Sequence, residues 1–177
     1  MRRTALAIGL VSLLASPAAP AAEPLKQKDG KASFHATGPG GLVIEGKAKK
    51  LLFEDTGEKL VWTVKVADVD TGIALRNKHM REKYVKAKEH PDATLEVARG
   101  DVSFETGEHT AKGTFTLKGV SKEVEVKYRL AKAGSAYAVE ATFPFDVREH
   151  GIDIPSYLGV TVDPEMRATA VIRAIEQ

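Results

Sequence analysis

Polar and apolar residues alternate along most of this chain. In residues 59–66, KLVWTVKV, Leu60, Trp62, Val64 and Val66 share one face, while Lys59, Thr63 and Lys65 share the other. The same period of two runs through GTFTL (Phe115, Leu117) and KEVEVKYRL (Val124, Val126, Tyr128, Leu130). It continues in YAVEATFPFDV (Tyr137, Val139, Ala141, Phe143, Phe145, Val147) and EMRATAVIRAI (Met166, Ala168, Ala170, Ile172, Ala174). Such alternation predicts strands with one buried and one wet face, as in antiparallel sheets. Short Gly-containing links separate the runs: DTGEK at 55–59, ETGEH at 105–109, LKGVSK at 117–122 and KAGSA at 132–136. Each suits a hairpin, so consecutive strands are expected to pair with their sequence neighbours. An all-β meander of this kind hides its edges by closing into a barrel or by folding into a sandwich.

Small residues on the inward face favour the barrel. Ala141, Ala168, Ala170 and Ala174 share a face with bulky neighbours, and Gly46 and Gly113 fall inside strand-like stretches. Small side chains leave room inside, and glycine in a strand marks a bend or a close approach. A tapering solid barrel uses the same residues and stays open as an alternative. Residues 22–32, polar and containing Pro24, are expected to be loose.

One segment breaks the period. In TGIALRNKHMREKYV, residues 71–85, Ile73, Asn77, Met80, Tyr84 and Ala87 recur every three or four positions, with Leu75 near the start. Arg76, Lys78, Arg81, Glu82 and Lys83 fall largely elsewhere, which predicts an amphipathic helix. Asp70 or Thr71 is placed to cap its start, and Pro91 forbids its continuation. A helix cannot join the sheet ladder, so it must lie across the strands or over an opening.

The first residues read as a leader. Arg2 and Arg3 precede an apolar run from Ala5 to Ala15, and Ala19 and Ala21 supply the small residues of a cleavage site. The run is shorter than the roughly 20 residues a membrane span needs. We expect residues 1–21 to be a signal peptide, with cleavage after Ala22 as the alternative, and 22–177 to form one domain, periplasmic or secreted. No cysteine occurs, so packing alone must hold an exported fold. Loss of Arg2 and Arg3 takes the 26 cationic residues to 24, equal to the 24 acidic ones. A neutral mature chain is not a nucleic-acid binder by its bulk field.

With these residues in view, a resemblance emerges. The order D-x-x-TGI-x-x-RN-x-HM, then HPDATLEV, GTFTLKGVSKEVEV and FDVREHGIDIPSYLGVTVDPEM resembles the YceI-like family of exported lipid-binding proteins, also called polyisoprenoid-binding. The likeness runs from about residue 53 to the C-terminus. It is strongest at Asp70–Met80, Gly113–Val126 and Phe145–Val162. The front, KQKDGKASFHATGPGG, departs from the family pattern, with SFHATG in the place of an early strand. The resemblance implies an eight-stranded antiparallel β-barrel of extended lipocalin type, with a short helix near the mouth, here Gly72–Lys86. It also implies a non-enzymatic binder of a long-chain isoprenoid or acyl lipid.

Candidate ligand-binding residues follow from the inward faces. On the early strands these are Phe34, Ile44, Trp62, Val64, Leu95 and Val97; further on, Phe115, Leu117, Val126, Tyr128 and Val139; and then Phe143, Phe145, Met166 and Ile172. Met80 and Tyr84 join them from the helix stripe. Arg76, Asn77, Arg81 and His79 are placed to meet a polar or anionic head group by charge-assisted hydrogen bonds. Tyr157 and Leu158 are apolar in a loop, suited to a lid or to pinning that loop. No cofactor is expected, nor stable membrane insertion; a homodimer is left open. Metal binding is disfavoured because His35, His79, His90, His109 and His150 are scattered without ligand spacing. His150, Asp153 and Ser156 are the residue types of a hydrolytic triad, yet they share one loop and no G-x-S-x-G elbow occurs. A cavity-less β-sandwich interaction module and a small hydrolase are the competing functional readings.

Overall fold

A computed structural model describes residues 23–157 and 160–176; the expected leader, 1–21, and Leu158 lie outside them. The chain runs β1 (Leu25–Gly38), β2 (Leu42–Ala48), β3 (Leu52–Asp55), β4 (Lys59–Lys65) and β5 (Val69–Asp70). After the helical segment come β6 (Asp92–Ala98), β7 (Gly107–Leu117), β8 (Val120–Ala133) and β9 (Ala136–Asp146). The ribbon β10 (Ser156–Tyr157) and β11 (Val160–Thr161) precedes the last strand, β12 (Glu165–Glu176). Ten strands make one antiparallel sheet in the order β3-β4-β6-β7-β8-β9-β12-β1-β2-β5, and β10 pairs with β11 separately. The sheet curls on itself, which removes the sandwich alternative. Eight of its strands have seven or more residues; β3 and β5, with four and two, are added at the two ends, which is why the count exceeds the expected eight.

Residues 25–32, expected to be loose, are strand. Leu25 pairs with Glu176 and Ala36 with Met166 across β12. The alternation is hidden because the register shifts between Gln27 and Asp29, and because the inward position at 27 is a glutamine. That glutamine has a task. Its Nε2 donates to the Leu51 carbonyl (2.9 Å) and its Oε1 accepts from the Phe53 N–H (2.9 Å). One side-chain amide thus stands in for a ladder partner along the edge of β3. Beside it, the Asp55 carboxylate, fully buried, accepts from the Leu25 N–H (2.9 Å), the Gly57 N–H (2.9 Å) and Arg99 Nε (3.0 Å). The barrel is therefore zipped along its lower half. Along the upper half β2 pairs with β5 only at Lys47 and Ala48, so Leu42–Gly46 have a ladder on one side alone.

The lower interior is solid. Leu25, Leu60, Val97, Leu130 and Ile172 are buried there, around a residual void of only about 30 Å³. The link between β6 and β7 caps it. Phe104 meets Tyr137 edge-on (centroids 6.0 Å apart), and Arg99 stacks 5.0 Å from the Phe104 ring centre. Tyr128 Oη accepts from the Ser103 N–H (2.8 Å) and donates to its carbonyl (3.2 Å). Burial pushes the Tyr128 hydroxyl pKa up, against a smaller opposing effect of the Ser103 bond.

Breaking the seam should be costly. Gln27→Ala leaves a peptide donor and acceptor unpaired and is expected to lower stability by about 1–3 kcal/mol. Asp55→Ala strands the Arg99 guanidinium and two backbone N–H donors, and is expected to cost about 3–5 kcal/mol. Urea denaturation followed by far-UV circular dichroism measures both.

Candidate functional site

Above this plug the barrel is hollow. The cavity has a volume of about 760 Å³, within the roughly 300–1,000 Å³ typical of small-molecule sites. The same strands that fill the lower half empty the upper one by a change of side-chain size. On β12, Ile172 is in the plug while Ala170 and Ala168 border the cavity; on β6, Val97 is in the plug and Ala93 above it. Ala32 and Ala36 do the same on β1. Trp62 borders both the small void and the large one and so forms part of the floor, tilted against Phe53 (5.3 Å). Phe115, Phe143 and Phe145 make an aromatic wall with centroids 5.0–6.2 Å apart, and His150 packs edge-on against Phe115 (5.3 Å).

The two strand glycines singled out from the sequence serve side chains of neighbouring strands. Gly46 lies opposite Phe34, whose ring would be 2.1 Å from any Cβ placed there. The missing side chain leaves the space that this ring occupies against β2. At Gly113 a Cβ would meet Leu95 Cδ1 at 3.0 Å.

The helical segment crosses the opening, as an α-helix at Ala74–His79 and a π-helical turn at Met80–Tyr84. It ends sooner than Pro91 would require, at Lys86 in the left-handed region (φ 55°). Arg76, His79, Met80, Lys83 and Tyr84 border the cavity. Ile73 and Leu75, expected on a buried stripe, are 53% and 52% exposed and form the rim. No side chain caps the helix; Asn77 instead reaches back, its Oδ1 accepting from the Thr71 N–H (2.8 Å) and Oγ1 (2.7 Å) and its Nδ2 donating to Asp70 (2.7 Å). Arg81 Nη2 donates to the Val69 carbonyl (2.8 Å). These two residues, expected at a head group, therefore anchor the helix to β5 and do not border the cavity. Opposite the helix, the segment after β9 contributes Val147, Ile152, Ser156, Val160 and Val162. It is pinned to β1 by Thr37 Oγ1 on Asp163 (2.6 Å) and by the Asp163 N–H on the Thr37 carbonyl (2.7 Å).

The candidates from the sequence thus divide. Phe34, Ile44, Trp62, Val64, Leu95 and Phe115 border the cavity, as do Leu117, Phe143, Phe145, Met166, Met80 and Tyr84. Val97, Val126, Tyr128, Val139 and Ile172 lie in the solid lower half instead, because inward alternation sets the face of a strand and not the height along it. Tyr157 is on β10, and Leu158 is outside the described residues. The alanines of β1, β6 and β12 and the rim residues Ile73 and Val160 went unassigned; the run of small inward residues was their signal.

The sequence profile of the YceI-like domain matches residues 27–174. The chain belongs to the YceI-like family. The match begins well before residue 53, where the resemblance first becomes legible, and takes in the irregular front. No curated protein shows a significant sequence match. Among solved structures, this YceI-like chain is similar to a polyisoprenoid binding domain from Saccharophagus degradans implicated in plant cell wall breakdown. There the TM-score is 0.70 at 13% identity, covering 88% of this chain and 99% of that one. It is also similar to BcnA of Burkholderia cenocepacia (TM-score 0.69, 20% identity, 81% and 95% covered). A YceI protein of Campylobacter jejuni gives a TM-score of 0.56 at 17% identity, with 98% and 94% covered. At these identities the likeness establishes the fold.

The helix anchor should respond to acid. The Asn77 amide and then the Gly72 N–H hold the Asp70 carboxyl below its ordinary 3.8. A carboxyl depressed in the folded state supports the fold fully above its unfolded value and loses that support as pH falls through the folded one. The Asn77 side-chain amide resonances should therefore shift with a midpoint below 3.8 by NMR, and Asp70→Asn should abolish that titration.

Proposed function

We propose that this chain is an exported, non-enzymatic carrier or store for one long apolar lipid, a polyisoprenoid, fatty acid or fatty amide. The carrying observation is the hollow itself. Protein interiors pack at a density of about 0.75 with few voids larger than a water molecule, and a space near 760 Å³ departs from that rule. Its walls are almost entirely apolar, so water inside would lack hydrogen-bond partners, whereas a hydrocarbon chain would lose none. Each methylene moved there from water contributes about 0.8 kcal/mol, before ordering costs are subtracted. The description of the Saccharophagus degradans neighbour as polyisoprenoid binding is consistent with this chemistry.

Catalysis finds little support in the same geometry. His150 is 1% exposed and its Nδ1 engages the Val120 carbonyl (2.9 Å), with no hydrogen bond to Asp153 or Ser156 among the described residues. Export rests on the basic, apolar and small-residue pattern of residues 1–21. N-terminal sequencing of protein recovered outside the cytoplasm should begin at Ala22.

Delipidated protein should take up one long-chain isoprenoid or fatty amide per chain and quench Trp62, the only tryptophan. Ala170→Phe, which fills the cavity from its alanine wall, should cut uptake at least about tenfold while adding no more than about 1–3 kcal/mol of strain. Failure of every long-chain lipid to bind wild-type protein would rule the carrier out.

A further inference from the structure

Ten contacts between a cationic side chain and a carboxylate occur among the described residues, spread over the strands and their turns. The helical segment at the mouth is different. Arg76, His79 and Lys83 border the cavity, and none of them is in such a pair. Among the described residues, no Asp or Glu borders the cavity. The spacing of three and four residues puts these groups on one face, between apolar Met80 and Tyr84. Arg76 is held in position: its Nε donates to Thr71 Oγ1 (2.9 Å) and its Nη2 to the Thr71 carbonyl, which leaves guanidinium donors uncommitted. Lys83 Nζ rests 5.2 Å from the Tyr84 ring centre.

A preset cationic edge thus stands over an apolar hollow whose far end is solid. A guest inserted there must leave its polar end beside Arg76 and Lys83. A neutral head would gain only what water already offers these groups, whereas an anionic oxygen gains a charge-assisted hydrogen bond. We propose that the cavity selects long-chain amphiphiles with an anionic head, a carboxylate in the simplest case, over neutral amides and esters of the same chain, through Arg76 and Lys83. This rests on the carrier reading and adds head-group selectivity to it. Arg76 is half-buried and Lys83 exposed, so the discrimination is modest, about five- to tenfold in affinity.

The purified, delipidated protein should be titrated with oleic acid, oleamide and methyl oleate, following Trp62 fluorescence at a pH where the acid is ionised. The acid should bind about five- to tenfold tighter than the other two, and its advantage should shrink as salt rises. Arg76→Gln with Lys83→Gln should bring the three ligands to a common affinity. Lys83→Glu alone, which touches no helix anchor, should place the acid below the amide. Equal affinities for the three in wild-type protein, or a preference that survives the double substitution, would overturn head-group selection while leaving the carrier reading intact. Failure of all three to bind would sink the carrier reading and this inference with it. Sedimentation with anionic phospholipid vesicles separates the remaining source of negative charge. If the substitutions abolish vesicle binding but leave the acid-to-amide ratio unchanged, the cations serve a bilayer surface and the proposal is wrong.

Discussion

A sheet that curls must dispose of two edges, and the rest of this structure depends on how one of them is closed. Backbone hydrogen bonds do not complete the lower seam. Two side chains do, Gln27 by matching the donor and acceptor of a peptide unit, and Asp55 by collecting donors from both sides of the gap. The charge of Asp55 is tolerable in the interior because Arg99 and two backbone N–H groups meet it. With the seam shut, the aliphatic residues between β1 and β3 stay dry, and the lower half packs as an ordinary core. That core is the rigid base from which the upper walls rise.

The upper walls need such a base because they lack a filling of their own. On β6 and β12 the inward residues change from Val97 and Ile172 below to Ala93, Ala168 and Ala170 above, so packing density falls along the barrel axis while each strand stays in the sheet. Stability and binding capacity are thereby assigned to different heights of the same ten strands. The helical segment is held to this frame by polar contacts at its start, Asn77 on Thr71 and Asp70 and Arg81 on Val69, and by Val85 buried in the core at its end. Its apolar residues Ile73 and Leu75 are left to border the opening.

Much of this is legible in residue patterns, and the misses have physical causes. Period-two alternation locates β4, β7, β8, β9 and β12 because each has one wet and one dry face. It fails at the start of β1, where a bulge after Gln27 breaks the phase and a polar residue takes an inward position. Alternation reports facing but not depth, so Val97, Val126, Tyr128, Val139 and Ile172 read like their neighbours higher up, although they belong to the plug. Helical spacing finds the segment over the mouth. It cannot tell that Asn77 and Arg81 turn towards β5 while Arg76 and Lys83 border the hollow, because that depends on where the preceding turn delivers the chain.

The one-sided pairing of β2 has a mechanical consequence. From Leu42 to Gly46 this strand is bonded to β1 and to no second strand, and it meets β1 through the tight link Pro39–Gly41. Apart from the end of β4, where Val64 and Lys65 pair with β6 alone, the other long wall strands that flank the hollow have a neighbour on each side. Bending β2 outward breaks no ladder, so compliance is concentrated in that hairpin. A bulkier guest would be accommodated by this one panel giving way, with the remaining strands keeping their register, and tolerance for guest size would follow the stiffness of a single hairpin.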